Sequence, residues 1–371
     1  MKLKNSLLLA AATFVAASSA NAQTVIDITG STAGRSAVHN AIRTVLSNET
    51  FAYNGANFNG ASKVIFKGDI SGTPVIIRTS WSGSAAGVRD VAQNNSSVWF
   101  PVTTIDTNSL NNTAVSMANN TANTVQNTAE IAYSDVFQSS TIYGSPTLND
   151  DTAGIIPFKF FASADAPASL TNISSLQARS LFGSGYIPLA VFSGNSSDQG
   201  TYIYATGRDP ESGTRITTMA EIGYGVFGAV QQYQPTVASG AVTGIVLWPV
   251  GSYAEGNGGS SSGSTVKGYV EANGFVNSNG LISYLGASDW SAIAKELSYN
   301  GISYSSDNVK QGKYTFWGYL HQMRHSSLSG TELSFYNSLL TAVRADTSWL
   351  VKTTDMSVAR SNDGGLINPA Y

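Results

Sequence analysis

Three stretches of this chain join a short β-rich run, a glycine-containing break and small hydroxyl residues at the start of a helical pattern. Val25-Ile26-Asp27-Ile28 runs into Gly30-Ser31-Thr32-Ala33-Gly34, after which Val38, Ala41, Ile42 and Val45 fall on one helix face. Val75-Ile76-Ile77-Arg78 is followed by Gly83-Ser84-Ala85-Ala86-Gly87. Tyr202-Ile203-Tyr204-Ala205 leads through Arg208-Asp209-Pro210-Glu211 into Ser212-Gly213-Thr214 and the helical spacing of Ile216, Met219 and Ala220. At such a turn the first helical N–H groups lack partners and coincide with the positive end of the helix dipole, which suits an anion. Plain helix capping uses the same Ser and Thr residues, so one turn alone says little. Arg208 adds weight. It stands four residues before Ser212, where a short loop folds its guanidinium back over the helix start, and its planar fork matches an oxyanion.

Other chemistries find less support. The chain has no cysteine, which excludes disulfides, thiolate metal sites and cysteine nucleophiles. His321 and His325 are four apart and would share a helix face, but the intervening Gln-Met-Arg lacks the glutamate of a zinc-protease helix. Ser84 and Ser212 lie outside any Gly-x-Ser-x-Gly pattern and no histidine is tied to them by spacing. A formal charge of −3 speaks against a nucleic-acid binder driven by phosphate attraction. The 17 tyrosines and 6 tryptophans fit packing and lobe interfaces better than sugar stacking.

The elements that must position these turns follow from length and pattern. A chain of 371 residues, 42% hydrophobic, has material for about two domains. Only 12% of residues are charged, and Ser, Thr, Asn and Gly stand in their place. Strands alternating with helices predict α/β layers. Lys2 and Lys4, the apolar run Leu7 to Ala17 and Ala20-Asn21-Ala22 predict a secretory signal over 1–22, with cleavage before Gln23 and a formal charge of −5 thereafter. No later segment is long and apolar enough for a membrane helix. The polar stretches Asn94 to Ser97, Asn111 to Asn127 and Gly256 to Thr265 lie between these units, and the last, of linker composition, reads as a surface loop.

The motifs resemble, in order, those of the periplasmic phosphate-binding proteins of phosphate ABC transporters. Arg208-x-x-x-Ser212-Gly213-Thr214 is similar to that family's central anion-binding motif, and Ile28 to Ala33 to its first ligand loop. Gly83 to Gly87 resembles its Gly-Ser-Ser-Gly-Gly loop, Tyr133-Ser134-Asp135 its Ala-Ser-Asp turn, and Trp248-Pro249-Val250-Gly251 its Trp-Pro-x-Gly segment. Between Arg208 and Ser212 the family commonly reads Ala-Asp-Gly, whereas this chain reads Asp209-Pro210-Glu211.

The resemblance implies a type II periplasmic binding fold: two α/β lobes, each a central mixed sheet flanked by helices, with the ligand in the cleft between them. Residues 23–158 and 318–371 would form one lobe and 159–317 the other. The implied ligand shell is Thr32 (hydroxyl, with Ser31 the alternative in register), the Ala33 N–H, Ser84, Asp135 as acceptor of a proton-bearing oxygen, Arg208 as the fork, and Ser212, Gly213 and Thr214 at the helix start. The implied function is non-catalytic capture of an inorganic oxyanion, phosphate first, for an ABC permease. The protein is then expected to be a monomer, without cofactor or metal, in the periplasm or secreted. The rival reading is an exported structural or surface protein that kept the fold without the ligand.

Overall fold

The computed structural model describes residues 23–103, 113–114, 124–274 and 279–370; the expected signal and most of the Asn111 to Asn127 stretch lie outside them. Ten strands frame the site: β1 (Thr24–Gly30), β2 (Ser47–Tyr53), β3 (Lys63–Ile70), β4 (Thr73–Ser80), β5 (Ile131–Ser134), β6 (Asn149–Ala162), β7 (Tyr186–Pro188), β8 (Tyr202–Ala205), β9 (Gly280–Gly286) and β10 (Trp317–Arg324). They lie in the order β7-β8-β9-β6-β10-β5-β1-β4-β3-β2, within a mixed sheet that continues to Thr113–Ala114.

β1 is parallel to both β4 and β5. Its run Ile26 to Gly30 is buried, as expected of a central parallel strand covered on both faces. Helices α1 (Arg35–Val45) and α2 (Ser84–Ala92) follow β1 and β4. The inward face of α1 carries Ala37, Val38, Ala41 and Ile42, the periodicity legible in the sequence. β1 ends where Gly30 adopts φ +117°, beyond what side chains tolerate. That turn lets the Ser31 N–H reach the Tyr133 carbonyl at 2.8 Å and lets the Gly83 N–H reach the Gly30 carbonyl at 2.9 Å.

β6 joins the two halves. From Asn149 to Pro157 it pairs with β10, and from Phe158 to Ala162 with β9. Pro157, which has no N–H to give a ladder, sits at the change of partner. On the far side, β8 is parallel to β9 and leads to α3 (Gly213–Glu221), while α4 (Gly263–Glu271) packs on β9. α5 (Gly330–Arg344) packs on α1 and β6.

Two sequence expectations are corrected. His321 lies in strand β10, not a helix, because that segment is held between β5 and β6. His325 follows the strand, and His321 instead bonds Asp150 at 2.9 Å. The glycine-rich stretch from Gly256 is not a plain surface loop: Gly256, Gly258 and Ser260 are buried, and its backbone packs against Arg208 (below).

Candidate functional site

The three turns converge. Thr32, Ser84, Asp135, Arg208, Ser212 and Thr214 are each at most 5% exposed. Ser31 closes the turn ahead of α1, which has no side-chain cap of its own: the Ser31 hydroxyl accepts from the Gly34 N–H at 3.2 Å. Thr32 is the residue turned to Arg208, whose Nη1 donates to the Thr32 hydroxyl at 3.1 Å. The Ala33 carbonyl accepts from the Ser288 hydroxyl, and no bond to the other site residues is formed there. Ser84 opens α2, with its hydroxyl against an Asp135 carboxylate oxygen. The Asp135 N–H donates to the same hydroxyl at 3.1 Å.

Ser212 is the N-cap of α3, its hydroxyl accepting from the Arg215 N–H. At Gly213 the two halves press together. A Cβ there would strike Asp135 Oδ1 and the Ser84 hydroxyl, so only glycine lets this helix start reach them. Thr214 donates to the second Asp135 oxygen at 3.4 Å.

Arg208 is held from behind by the loop the sequence marks as a linker. Its Nε donates to the Ser260 carbonyl at 3.0 Å and its Nη2 to the Ser261 carbonyl at 2.8 Å. With the bond to Thr32, three of the five guanidinium N–H groups are used, leaving one on each terminal nitrogen. Among the described residues Arg208 forms no ion pair. A buried cation normally has a counter-anion.

Asp135 carries the opposite signature. Burial pushes its carboxyl up to about 6, against the pull of its own backbone N–H and of Arg208, with Asp363 adding to the rise. Burial likewise raises Glu130 to about 7, and raises Asp209, Glu221 and Asp363. An acid whose folded pKa is raised stabilises the fold below its ordinary pKa, and that contribution is lost as pH climbs through the folded value. The urea midpoint measured without added anions should therefore fall from pH 5 to pH 8, with a share of about 1.4 kcal/mol from Asp135 in that window. Asp135→Asn should flatten the profile between pH 5 and 7; an unchanged slope would show that Asp135 is not held neutral.

Residues that sequence reasoning missed complete the enclosure. Arg35, buried at the start of α1, donates to Asp289 at 2.7 Å and to Ser264 at 3.1 Å across the cleft. Arg215, next to Thr214, donates to the Arg208 and Asn257 carbonyls. Gln232 also donates to the Arg208 carbonyl, and the Arg208 N–H donates to the Tyr284 hydroxyl. Arg35 stands three residues after Thr32 and Arg215 one after Thr214, a signal of position that only their partners turn into a role. No group of three His, Asp or Glu suited to a metal ion occurs among the described residues.

Comparison with solved structures places the architecture. A phosphate ABC transporter substrate-binding protein with bound phosphate, from Clostridium perfringens, matches at TM-score 0.53 and 14% identity, covering 89% of this chain and 100% of its own. This is the two-lobed type II periplasmic binding fold. An ABC-type phosphate transport receptor from Vibrio cholerae matches at TM-score 0.47 and 13% identity, over 85% of this chain and 93% of that one. No family model matches the sequence. No curated protein matches it either.

Proposed function

We propose that this protein binds phosphate, non-catalytically and outside the cytoplasm, and delivers it to an ABC permease. The observation that carries the reading is Arg208: a buried guanidinium that forms no ion pair among the described residues and has two N–H groups unspent, facing Thr32 among three helix starts. The ligand shell is Thr32, Ser84, Asp135, Arg208, Gly213 and Thr214, with the Ala33 N–H and the Ser212 cap at its edge and Ser31 behind. Residues 23–158 with 318–371 make one lobe and 159–317 the other. Export follows the signal pattern of residues 1–22; intact mass of the exported protein should begin at Gln23, and recovery of the full-length chain would overturn that assignment. Calorimetric titration of the purified protein with phosphate tests the reading as a whole, and absence of binding would favour the structural-protein alternative.

Selection of phosphate is assigned to Asp135. An ionised carboxylate beside an anion repels it unless the anion carries a proton, since the carboxylate only accepts hydrogen bonds. Phosphate near neutral pH offers an O–H; sulfate offers none and leaves two acceptors facing each other. The cost of such unpaired buried groups is about 1–3 kcal/mol each. Asp135→Asn supplies an N–H and removes the charge, so sulfate should gain on phosphate at least tenfold in competition titration at pH 8. An unchanged ratio would make Asp135 a turn residue only.

A further inference from the structure

The C-terminal part of the chain forms a strap that no sequence motif marked. Val358–Ala359 pairs with Asn368–Pro369, and the turn between them carries two buried charged residues, Arg360 and Asp363. Arg360 anchors it. Its Nη1 donates to Glu221, the last residue of α3, at 3.0 Å, and its Nη2 to the Thr315 carbonyl at 2.8 Å. The guanidinium carbon lies 4.0 Å from the centre of the Trp317 ring, and the Arg360 N–H donates to the Tyr319 hydroxyl at 3.2 Å. Gly364 then passes the Ala220 backbone at φ +63°, where a Cβ would stand 2.4 Å from the Ala220 carbonyl. α3 therefore meets the strap at its end and the anion donors at its start.

Held in this way, Asp363 reaches the turn that presents Asp135. Its Oδ2 accepts from the Phe137 N–H at 2.9 Å, two residues after Asp135. Two neutral groups support the same turn: the Ser134 hydroxyl donates to the Val136 carbonyl at 2.6 Å, and Thr217 of α3 donates to the Asp135 carbonyl at 3.2 Å. Asp363 brings a charge instead. Burial raises its carboxyl, opposed by bonds to the Ser140 side chain and the Phe137 N–H and by the nearby His321 and Arg360. His321, on β10, is itself bonded to Asp150, and Arg360 to Glu221. The charged groups that act on Asp135 are Arg208, which lowers its carboxyl, and Asp363, which raises it.

We propose that Asp363 is a positioning residue for Asp135: it fixes the pose of the Asp135 turn, and its negative charge helps to decide when the site tells phosphate from sulfate. The proposal rests on the phosphate reading and on the role given there to Asp135. Asp363 acts through the Phe137 N–H and through space, not as a ligand. Rejection of sulfate needs Asp135 ionised. A neighbouring negative charge delays that ionisation to higher pH, so removing the Asp363 charge brings selection on at lower pH.

Competition titration of phosphate against sulfate from pH 5 to pH 8, on the parent protein, Asp363→Asn and Asp363→Ala, tests this. Asparagine keeps an oxygen for the Phe137 N–H and drops the charge. Asp363→Asn should keep the phosphate-to-sulfate ratio at pH 8 within about twofold of the parent, while the rise of that ratio with pH moves down by about half a unit or more. Asp363→Ala also removes the acceptor and releases the turn, so its ratio at pH 8 should fall at least threefold. If Asp363→Ala does not fold, the pH profile of the isosteric Asp363→Asn decides alone. A role in stability only would lower the urea midpoint and leave ratio and profile at parent values in the folded variants, which overturns the proposal. A second arm needs no ligand: the pH range over which Asp135→Asn flattens the urea profile should lie lower in an Asp363→Asn background. A shift there without phosphate binding by the parent overturns the phosphate reading and upholds the coupling of Asp363 to Asp135; no shift in either arm overturns the proposal itself.

Discussion

Arg208→Ala should lose between 30-fold and several-thousand-fold in phosphate affinity while the protein stays folded. The guanidinium supplies two N–H groups and a full positive charge that forms no ion pair among the described residues. Removing one partner of a buried, charge-assisted pair costs about 2–5 kcal/mol, and tenfold in affinity is worth 1.4 kcal/mol. The helix-start donors at Gly213, Thr214 and Ser84 remain, so weak binding should persist. Because the Ser260 and Ser261 carbonyls lie against the guanidinium, the variant also frees that loop, and Arg208→Lys separates the two effects. Lysine keeps the charge but cannot hold two carbonyls and an anion with one planar fork, so it should recover less than a third of the lost binding energy. Calorimetric titration of both variants, with circular dichroism to establish folding, decides it. A change below threefold in folded Arg208→Ala would remove this residue from the site.

The largest effect on stability should come from Arg78→Met. Arg78 and Asp27 are register partners on β4 and β1, both buried, joined by two parallel bonds of 2.6 and 2.5 Å. Asn127 donates to Asp27 at 2.8 Å and Arg78 donates to the Phe100 carbonyl at 3.1 Å. Removing the arginine strands a carboxylate in the sheet centre, a loss of about 3–5 kcal/mol. The double variant Asp27→Leu, Arg78→Met removes both charges and should recover at least half of that, since a buried ion pair contributes little net stability over apolar packing. Urea denaturation of the three proteins measures this, and a single-variant loss under 1 kcal/mol would show that water reaches Asp27. Thr32 and Ser84 lie past the C-terminal ends of β1 and β4, several residues beyond Asp27 and Arg78, so phosphate affinity in the folded fraction should not move.

Much of the site was legible because it is built from short local signals. A strand, a glycine break and a hydroxyl-rich helix start are consecutive in sequence, and their local geometry follows from propensity and capping; hence Ser84, Ser212 to Thr214 and the neighbourhood of Ser31 and Thr32 could be named. The register within the first turn could not. Ser31 and Thr32 both carry a hydroxyl, and only the position of Arg208, 176 residues away, makes Thr32 the facing one, while Ser31 bonds the Gly34 N–H. The glycine-rich stretch after Gly256 failed as a reading for a related reason. Its composition is that of a solvated linker, but the small residues let its carbonyls press against Arg208, a contact no local pattern encodes. His321 and His325 share a spacing compatible with a helix, and pairing with β5 and β6 made a strand of that segment instead.

By itself, then, the sequence determined the element types around the three turns, the absence of thiol chemistry and the choice of an arginine rather than a metal as the candidate anion anchor. These depend on residue identity and on neighbours within one or two turns of chain. Tertiary structure alone decided that the three helix starts meet, that Arg208 forms no ion pair among the described residues, that burial raises the Asp135 carboxyl, and that Arg35 bonds Asp289 across the cleft. Each of these is an electrostatic or packing relation between residues dozens to hundreds of positions apart, set by how β6 and β10 carry the chain between the lobes, and burial is what gives such relations their strength.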